Sequence, residues 1–327
     1  MKALVTGGGG FLGKAIVARL IARGNEVISF SRGDYPELCR LGAEVVGGDI
    51  ADAGAVVSVA KGCDVVFHVA ARVGIWGPYR EYYSTNVKGT GNVIEACRAH
   101  RIRRLVYTSS PSVVFCGADM EGMDESVTYP GTYHAHYPKT KAMAERMVLK
   151  ADGEELATVA LRPHLIWGPG DNSLIPRLID RGKSGRLIKV GYGPHLVDCV
   201  YIDNAAEAHL LASDRLAPGS SIAGKAYFIS QGVPIDIGEL MDRIIGTAGL
   251  PPIRRTIPPG VVYAAGWLME SLYAVLGIRK EPPMTRFLAK QLSTAHWFDI
   301  SAAKRDLGYS PSVSIEQGLL RLQESFK

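Results

Sequence analysis

A glycine-rich segment near residue 1 constrains the fold more than any other feature of the sequence. The run Thr6-Gly-Gly-Gly-Gly-Phe-Leu-Gly13 follows an apolar strand candidate and precedes a helical pattern over residues 11–23. Its spacing satisfies G-x-x-G-x-x-G through Gly7, Gly10 and Gly13. Glycines at such a turn let a pyrophosphate approach the backbone, and the free N–H groups of the helix N-terminus bind it. The segment therefore predicts a dinucleotide-binding site.

Apolar strand candidates alternate with helical patterns through the first half of the chain. The strand candidates are residues 3–6, 26–30, 44–46, 64–67, 104–108 and 157–161. Continuous Val, Ile and Leu runs separated by helices indicate a parallel sheet covered on both faces, which predicts an α/β, doubly wound Rossmann fold.

The alternation ends after Pro163, where prolines and glycines cluster. This change predicts a smaller, mostly helical substrate region beside the sheet. We place the dinucleotide-binding Rossmann domain at residues 1–168, with a returning segment at about 196–216. The substrate-binding region then comprises residues 169–195 and 217–327.

Composition argues against several other classes of protein. The formal net charge is +5, and the basic residues are scattered rather than clustered, so we expect no nucleic-acid partner. The five cysteines are widely spaced without C-x-x-C, and no H-E-x-x-H occurs, so neither a disulfide framework nor a metal site is expected. Free thiols fit a reducing compartment, and the first residues lack the apolar core of a signal peptide, so we expect a cytoplasmic protein.

One mostly apolar segment, residues 260–278, raises the question of a membrane. A spanning helix needs about twenty apolar residues, and Glu270 near the middle would cost about 2.5 kcal/mol or more at a bilayer centre. We therefore expect no spanning segment, and a helix buried in the substrate region. The alternative is an interfacial or lid helix beside an apolar substrate, which would make the protein peripheral to a membrane.

The end of the second strand bears on the choice of dinucleotide. An acidic residue about twenty positions after the glycine loop usually binds the ribose 2′-hydroxyl of NAD. Ser31 stands at that place, and Arg32 can pair with a 2′-phosphate through its guanidinium group. We predict NADP, with NAD as the alternative because Asp34 is close. Asp49, after the third strand, is placed either to meet the adenine edge or to cap a helix.

Tyr137 and Lys141 share one face of a predicted helix because they lie four residues apart. A nearby ammonium group lowers the pKa of a phenol from its ordinary value of about 10. Tyr137 can then exchange a proton with a carbonyl or an alcohol. Ser110 follows the fifth strand at the expected ligand edge, where a hydroxyl can hold the substrate oxygen. The alternative is an ordinary surface Tyr–Lys pair.

These motifs together resemble the extended short-chain dehydrogenase/reductase family. The likeness also includes HVAA from His68, NVKGT from Asn86, LRPHLIWGPGD from Leu161 and VYIDNAAEAH from Val200, and it covers essentially the whole chain. It implies a proton relay by Tyr137 and Lys141, carbonyl orientation by Ser110 and a supporting role for Asn86. The cofactor contacts that it implies beyond the glycines are Phe11, Leu12, Ser31, Arg32, Asp49, Ile50, Ala70, Ala71, Tyr137, Lys141, Pro163 and Ile166.

Within that family the chain is similar to the 3β-hydroxysteroid dehydrogenase group, and most similar to its bacterial 2-alkyl-3-oxoalkanoate reductases of long-chain olefin biosynthesis. YTSSPSV, IWGPGD, YIDNAA and PPMTRFLAKQL carry this likeness. It implies NADPH-dependent reduction of the ketone of a large hydrophobic acid, a homodimer, and a complex with other enzymes of that pathway. The alternatives are a 3β-hydroxysteroid or sterol-4-carboxylate dehydrogenase, an NADP-binding sensor without chemistry and, less favoured, a nucleotide-sugar epimerase.

Such a substrate needs an apolar pocket and a group to bind its carboxylate. The pocket candidates are Trp76, Tyr79 and residues 261–276, and the carboxylate candidates, which the sequence does not rank, are Arg72, His164, Arg177 and His195.

Overall fold

Fifteen strands and thirteen α-helices form the fold of residues 1–327, all described by a computed structural model. The strands are β1 (Lys2–Thr6), β2 (Glu26–Ser31), β3 (Glu44–Gly47), β4 (Val65–His68), β5 (Arg104–Thr108), β6 (Met120–Met123), β7 (Ala157–Pro163), β8 (Ile166–Trp167), β9 (Lys189–Val190), β10 (Leu196–Val197), β11 (Val200–Tyr201), β12 (Lys225–Ile229), β13 (Ile235–Asp236), β14 (Thr256–Ile257) and β15 (His296–Phe298). The helices are α1 (Phe11–Ala22), α2 (Pro36–Leu41), α3 (Ala53–Ala60), α4 (Tyr79–Tyr82), α5 (Gly89–Ala99), α6 (His136–Lys150), α7 (Leu174–Lys183), α8 (Ile202–Arg215), α9 (Ile237–Thr247), α10 (Pro259–Val275), α11 (Arg286–Leu292), α12 (Ser301–Leu307) and α13 (Ile315–Glu324). A π-helical turn (Tyr83–Lys88) and a 3₁₀ turn (Pro111–Val113) complete the secondary structure.

Seven parallel strands form the central sheet in the order β12-β7-β5-β4-β1-β2-β3. The order reverses between β1 and β4, and Leu4 of β1 lies opposite both Ile28 of β2 and Val66 of β4. Doubly wound sheets bind their ligands at the carboxyl ends of the strands beside this reversal. The predicted Rossmann fold is confirmed, and all six predicted strands belong to this sheet.

Alternating side chains of the strands build a separate core on each face of the sheet. In β4, Val65 and Phe67 belong to the core that α1 and α8 cover, whereas Val66 belongs to the core that α3, α5 and α6 cover. This alternation follows from the two-residue period of a strand. Because both faces are covered, the strands read as continuous apolar runs in the sequence.

The seventh strand corrects one predicted boundary. The sequence predicts that residues 217–327 belong wholly to the substrate region, but β12 pairs in parallel with β7 at the edge of the main sheet, with Tyr227 opposite Leu161. The run that forms β12 stands alone, outside the strand–helix alternation, so periodicity gave no reason to place it in the sheet. Its pairing covers an edge of β7 that would otherwise leave backbone groups unpaired.

Short strands outside the main sheet join the two predicted regions: β6 and β10 belong to residues 1–168 and 196–216, predicted as the Rossmann domain, whereas β9, β13, β14 and β15 belong to the predicted substrate region. Strands β13, β10, β15 and β6 form one small sheet, and β14 pairs with β9. The predicted helix within residues 260–278 exists as α10, but the expectation that it is buried is wrong: only Val262 and Gly266 are buried. Periodicity identifies such a helix without revealing what covers it. None of the helices is long and apolar enough to cross a bilayer.

Candidate active site

The glycine loop leaves no room for side chains where it turns from β1 into α1. Gly7 has φ +71°, and a Cβ there would lie 2.7 Å from the backbone of Ala70. A Cβ on Gly13 would lie 2.8 Å from the Cα of Gly8. Helix α1 has no side-chain cap and no acidic residue in its first turn, so its first N–H groups remain open to an anion. This cradle fits the pyrophosphate of a dinucleotide.

The residues after β2 and β3 fit the adenosine end of the same ligand. Ser31 accepts a hydrogen bond from the Gly9 N–H at 3.0 Å, which ties the end of β2 to the glycine loop. Arg32 is exposed and forms no ion pair, so its guanidinium group is free for a phosphate. Asp49 accepts the Ala51 N–H at 2.9 Å.

The alternative in which Asp49 caps a helix is wrong. The N-cap of α3 is Asp52, whose side chain accepts the Ala55 N–H at 3.1 Å. Asp49 lies three residues earlier and lines the large cavity described next.

A cavity of about 1030 Å³ runs along the carboxyl edge of the sheet from the glycine loop to α7. It is lined by all the residues for which the sequence predicts a cofactor contact: Gly7, Gly10, Phe11, Leu12, Gly13, Ser31, Arg32, Asp49, Ile50, Ala70, Ala71, Tyr137, Lys141, Pro163 and Ile166. Tyr35, which no sequence motif indicated, also lines this cavity and places its ring against Gly9 of the glycine loop.

Tyr137, Lys141 and Ser110 all line this cavity. Burial raises the pKa of Tyr137, and its interaction with the Ser110 hydroxyl lowers that pKa in part. Lys141 donates a hydrogen bond to the Thr108 carbonyl at 2.6 Å, and its ammonium lies 4.1 Å from the centre of the Tyr107 ring. Burial lowers the pKa of Lys141 to about 7, against the opposing effect of Glu145. The pKa of Tyr137 is thus raised by burial, and the predicted lowering by a nearby ammonium is not seen, since only the Ser110 hydroxyl lowers it.

Asn86 lies behind the cavity and not on its wall. It is buried in the π-helical turn, where its Oδ1 accepts the Arg72 N–H at 2.7 Å and its Nδ2 donates to the Arg72 carbonyl at 3.1 Å. The same Nδ2 donates to the Thr140 hydroxyl on α6 at 3.0 Å. Asn86 therefore ties the loop after β4 to the helix that bears Tyr137, which is a positioning role.

A buried ion pair that the sequence analysis missed lies directly behind Lys141. Glu145 binds Arg162 through two hydrogen bonds, at 2.7 and 3.0 Å, and accepts a third from the Tyr129 hydroxyl at 2.6 Å. Burial alone would raise the pKa of Glu145, but the Arg162 guanidinium outweighs it and holds the pKa below its ordinary value. The spacing of Glu145, four residues after Lys141 on one helix face, was the available signal.

Of the four candidates for binding a carboxylate, only Arg177 lines the cavity. Its guanidinium also contacts Glu281 at 2.9 Å. Arg72 is paired with Glu81 at 2.7 Å, and His164 is buried against Asp198. His195 lines a separate, smaller cavity beside β9.

A second cavity, of about 510 Å³, adjoins the first, since Ile75 lines both. Trp76, Tyr273, Ala274 and Ile278 contribute to its wall, and the Trp76 Nε1 donates to the Ile278 carbonyl at 3.0 Å. Trp76 and part of residues 261–276 therefore line a cavity, but its wall also carries the charged Glu270, Arg279 and Arg286, so it is not the apolar pocket that the sequence predicts. Tyr79 lines neither cavity.

The fold and the Tyr137–Lys141 site define an NAD(P)-dependent oxidoreductase of the short-chain dehydrogenase class. The model of the 3-beta hydroxysteroid dehydrogenase/isomerase family matches residues 4–257, and the chain belongs to this family. The family predicted from the motifs is confirmed.

Two curated relatives resemble the chain over nearly its whole length. It is 51% identical over 327 residues to a 2-alkyl-3-oxoalkanoate reductase of Stenotrophomonas maltophilia, covering 99% of each chain. It is 50% identical to a 2-alkyl-3-oxoalkanoate reductase of Shewanella oneidensis, covering 99% of this chain and 86% of that one. Among solved structures, MoeE5 in complex with UDP-glucuronic acid and NAD has a TM-score of 0.75 at 25% identity, covering 100% of this chain and 99% of that one.

Proposed function

We propose that the protein reduces the ketone of a large, hydrophobic 2-alkyl-3-oxoalkanoic acid to the 2-alkyl-3-hydroxyalkanoic acid, with NADPH as the reductant. The observation that supports this most directly is the 51% identity, over 99% of both chains, to a reductase of that name. The site supports the same reaction class, because the proton donor, its neighbouring lysine and the nucleotide cradle line one cavity.

The roles of the residues follow from their positions. When bound, the nicotinamide supplies a hydride to the ketone carbon. Tyr137 donates its hydroxyl proton to the ketone oxygen, which becomes the alcohol. Ser110 holds the same oxygen by a hydrogen bond. Lys141, four residues along α6, stabilises the phenolate that remains on Tyr137 and is placed to bind the ribose. Asn86 holds α6 and the loop after β4 together through its hydrogen bonds to Arg72 and Thr140.

The choice of NADP rests on Arg32, which lines the cavity without a carboxylate partner. Loss of its guanidinium should weaken NADPH binding by about 10-fold or more, because a charge-assisted hydrogen bond to a phosphate is worth about 1.5–3 kcal/mol. Fluorescence titration of Arg32→Ala with NADPH and NADH measures this. Arg40→Ala, an exposed arginine outside the cavity, is the matched control. Equal weakening of both nucleotides would contradict the proposal.

The alternative function is a 3β-hydroxysteroid or sterol-4-carboxylate dehydrogenase, which the family name keeps open. Its chemistry at the reacting carbon is nearly the same, so only the substrate separates the two. Nicotinamide absorbance, followed with a 2-alkyl-3-hydroxyalkanoic acid and in parallel with a 3β-hydroxysteroid, decides between them. Turnover of the hydroxy acid alone is expected, and turnover of the steroid alone would overturn the substrate assignment. No turnover of either, with nucleotide still bound, would favour the second alternative, an NADP-binding sensor.

Four further expectations complete the proposal. The protein acts in the cytoplasm, as a homodimer, and in a complex with other enzymes of olefin biosynthesis. Residues 1–168 and 196–216, together with β12, hold the dinucleotide, and the remaining segments bind the substrate. Size-exclusion chromatography with light scattering tests the dimer, and a monomeric mass at micromolar concentration would contradict it.

A further inference from the structure

Helix α10 exposes an apolar surface that the fold leaves uncovered. Five of its apolar residues are exposed along one face, at a spacing of three or four: Val261, Ala264, Leu268, Leu272 and Val275. At 100° per residue they fall within an arc of about 80°. Val275 is 85% exposed and Leu268 62%. We call this face, with the neighbouring Trp267 and Leu276, the α10 surface.

Basic residues flank α10 in the sequence on both sides, and one of them, Arg279, also lines the second cavity. Arg254 and Arg255 precede the helix, and Arg279 and Lys280 follow it; all four are exposed. None of the four forms an ion pair, whereas other arginines and lysines of the fold pair with carboxylates. Between the two pairs in the sequence lies α10, whose 17 residues span about 25 Å at about 1.5 Å per residue.

The one acidic residue of α10 lies on the opposite side of the helix. Glu270 accepts the Arg286 N–H at 2.8 Å and its guanidinium at 2.6 Å, and its side chain is only 12% exposed. The α10 surface therefore presents apolar side chains between four unpaired positive charges and no negative charge. A helix with an apolar face and basic flanks is suited to lie in the interface of an anionic bilayer.

We propose that the α10 surface docks the protein on a membrane rich in anionic lipid, with the helix parallel to the bilayer plane. A second copy of the chain fits this surface less well. A two-fold contact places the same patch on both partners, so parallel or antiparallel pairing of the helices would bring the basic ends of one copy against basic ends of the other. Anionic headgroups neutralise those ends instead.

The docked orientation has a consequence for the cavities. Two residues of α10 outside the α10 surface, the partly buried Tyr273 and the exposed Ala274, line the second cavity, which shares Ile75 with the cofactor cavity. Docking on the α10 surface therefore brings the second cavity close to the lipid surface, whatever substrate the enzyme reduces. The proposal stands independently of the substrate assignment.

The test is co-sedimentation of the full chain with sucrose-loaded vesicles, of phosphatidylcholine alone or of phosphatidylcholine with 30% phosphatidylglycerol. We expect binding to the anionic vesicles, falling with added salt. Leu268→Glu and Leu272→Glu should each abolish it, whereas Leu320→Glu, at an exposed leucine on α13, should not. Arg279→Gln with Lys280→Gln should weaken binding by about 25-fold, since each basic residue near an anionic surface contributes about fivefold.

Two results would overturn the proposal. One is equal binding by the parent and the α10 variants, or none by the parent. The other is a dimer that Leu268→Glu dissociates in analytical ultracentrifugation without any vesicle binding, which would assign the surface to a second copy. Retained nucleotide binding by each variant shows that it is folded. Vesicle binding and turnover are measured separately. A protein that does not bind vesicles can still catalyse the proposed reaction, and a protein without turnover can still bind vesicles.

Discussion

Replacing Glu145 by Gln should destabilise the protein far more than a single surface substitution does. The change removes the negative charge that balances Arg162, while both side chains are almost fully buried, at 0% and 4% exposure. It also turns an amide N–H toward the guanidinium. Breaking a buried pair at one partner costs about 3–5 kcal/mol. At about 2 °C per kcal/mol for a chain of this size, the melting temperature should fall by about 6–10 °C.

The matched control is Glu239→Gln, because Glu239 contacts Arg243 at 3.7 Å on the surface of α9 with 59% of its side chain exposed. Exposed pairs contribute about 0–1 kcal/mol, so this variant should melt within about 2 °C of the parent. Differential scanning calorimetry on both variants measures the contrast. Arg162→Met added to Glu145→Gln should recover much of the loss, since the unpaired charge is then gone. Equal melting temperatures for the two single variants would refute the reasoning.

Three more predictions concern the active site. Tyr137→Phe should lower kcat by about 100- to 10,000-fold by removing the proton donor, while nucleotide affinity, measured by fluorescence, stays within about twofold; turnover at the parental rate would contradict the proposed role. Gly13→Ala should weaken nucleotide binding at least 10-fold in the same titration, because its Cβ would meet backbone 2.8 Å away, and an unchanged affinity would exclude the tight-turn argument. Burial lowers the pKa of Lys141 to about 7, from about 10.4 in an unfolded chain. Its cost to stability is therefore present in full below pH 7 and is relieved as pH rises toward 10. The melting temperature of Lys141→Met should exceed that of the parent at pH 6, and the difference should shrink by pH 10. The exposed Lys139→Met should show no such difference. A higher melting temperature that does not depend on pH would count against the buried charge.

The parts of the site that the sequence predicted are those formed by residues close together in the chain. The glycine loop follows from adjacent residues, and Tyr137 and Lys141 from one helical turn. The contacts that were missed join distant positions. Arg162 reaches Glu145 because β7 passes beside α6, and β12 joins the sheet only after a long excursion through the substrate region. No local period encodes these pairings.

The exposure of α10 shows the same limit in another form. The apolar pattern of residues 260–278 predicted a helix, and a helix forms, but an apolar face does not specify its partner. The same apolar residues are favoured by burial in the core, by contact with a second chain and by contact with lipid. Two observations distinguish these cases: Glu270 faces the protein, and four basic residues flank the helix in the sequence.

The late arrival of β12 has a consequence for synthesis on the ribosome. Strand β7, every residue of which is buried in the finished fold, has β5 on one side and must wait on the other until residues 225–229 emerge. At about 5–20 residues per second, more than sixty residues of delay leave that apolar edge open for several seconds. An open parallel edge is a template for pairing with other chains. A nascent chain stalled before Lys225 should therefore aggregate more readily than the complete chain, in which β12 covers this edge.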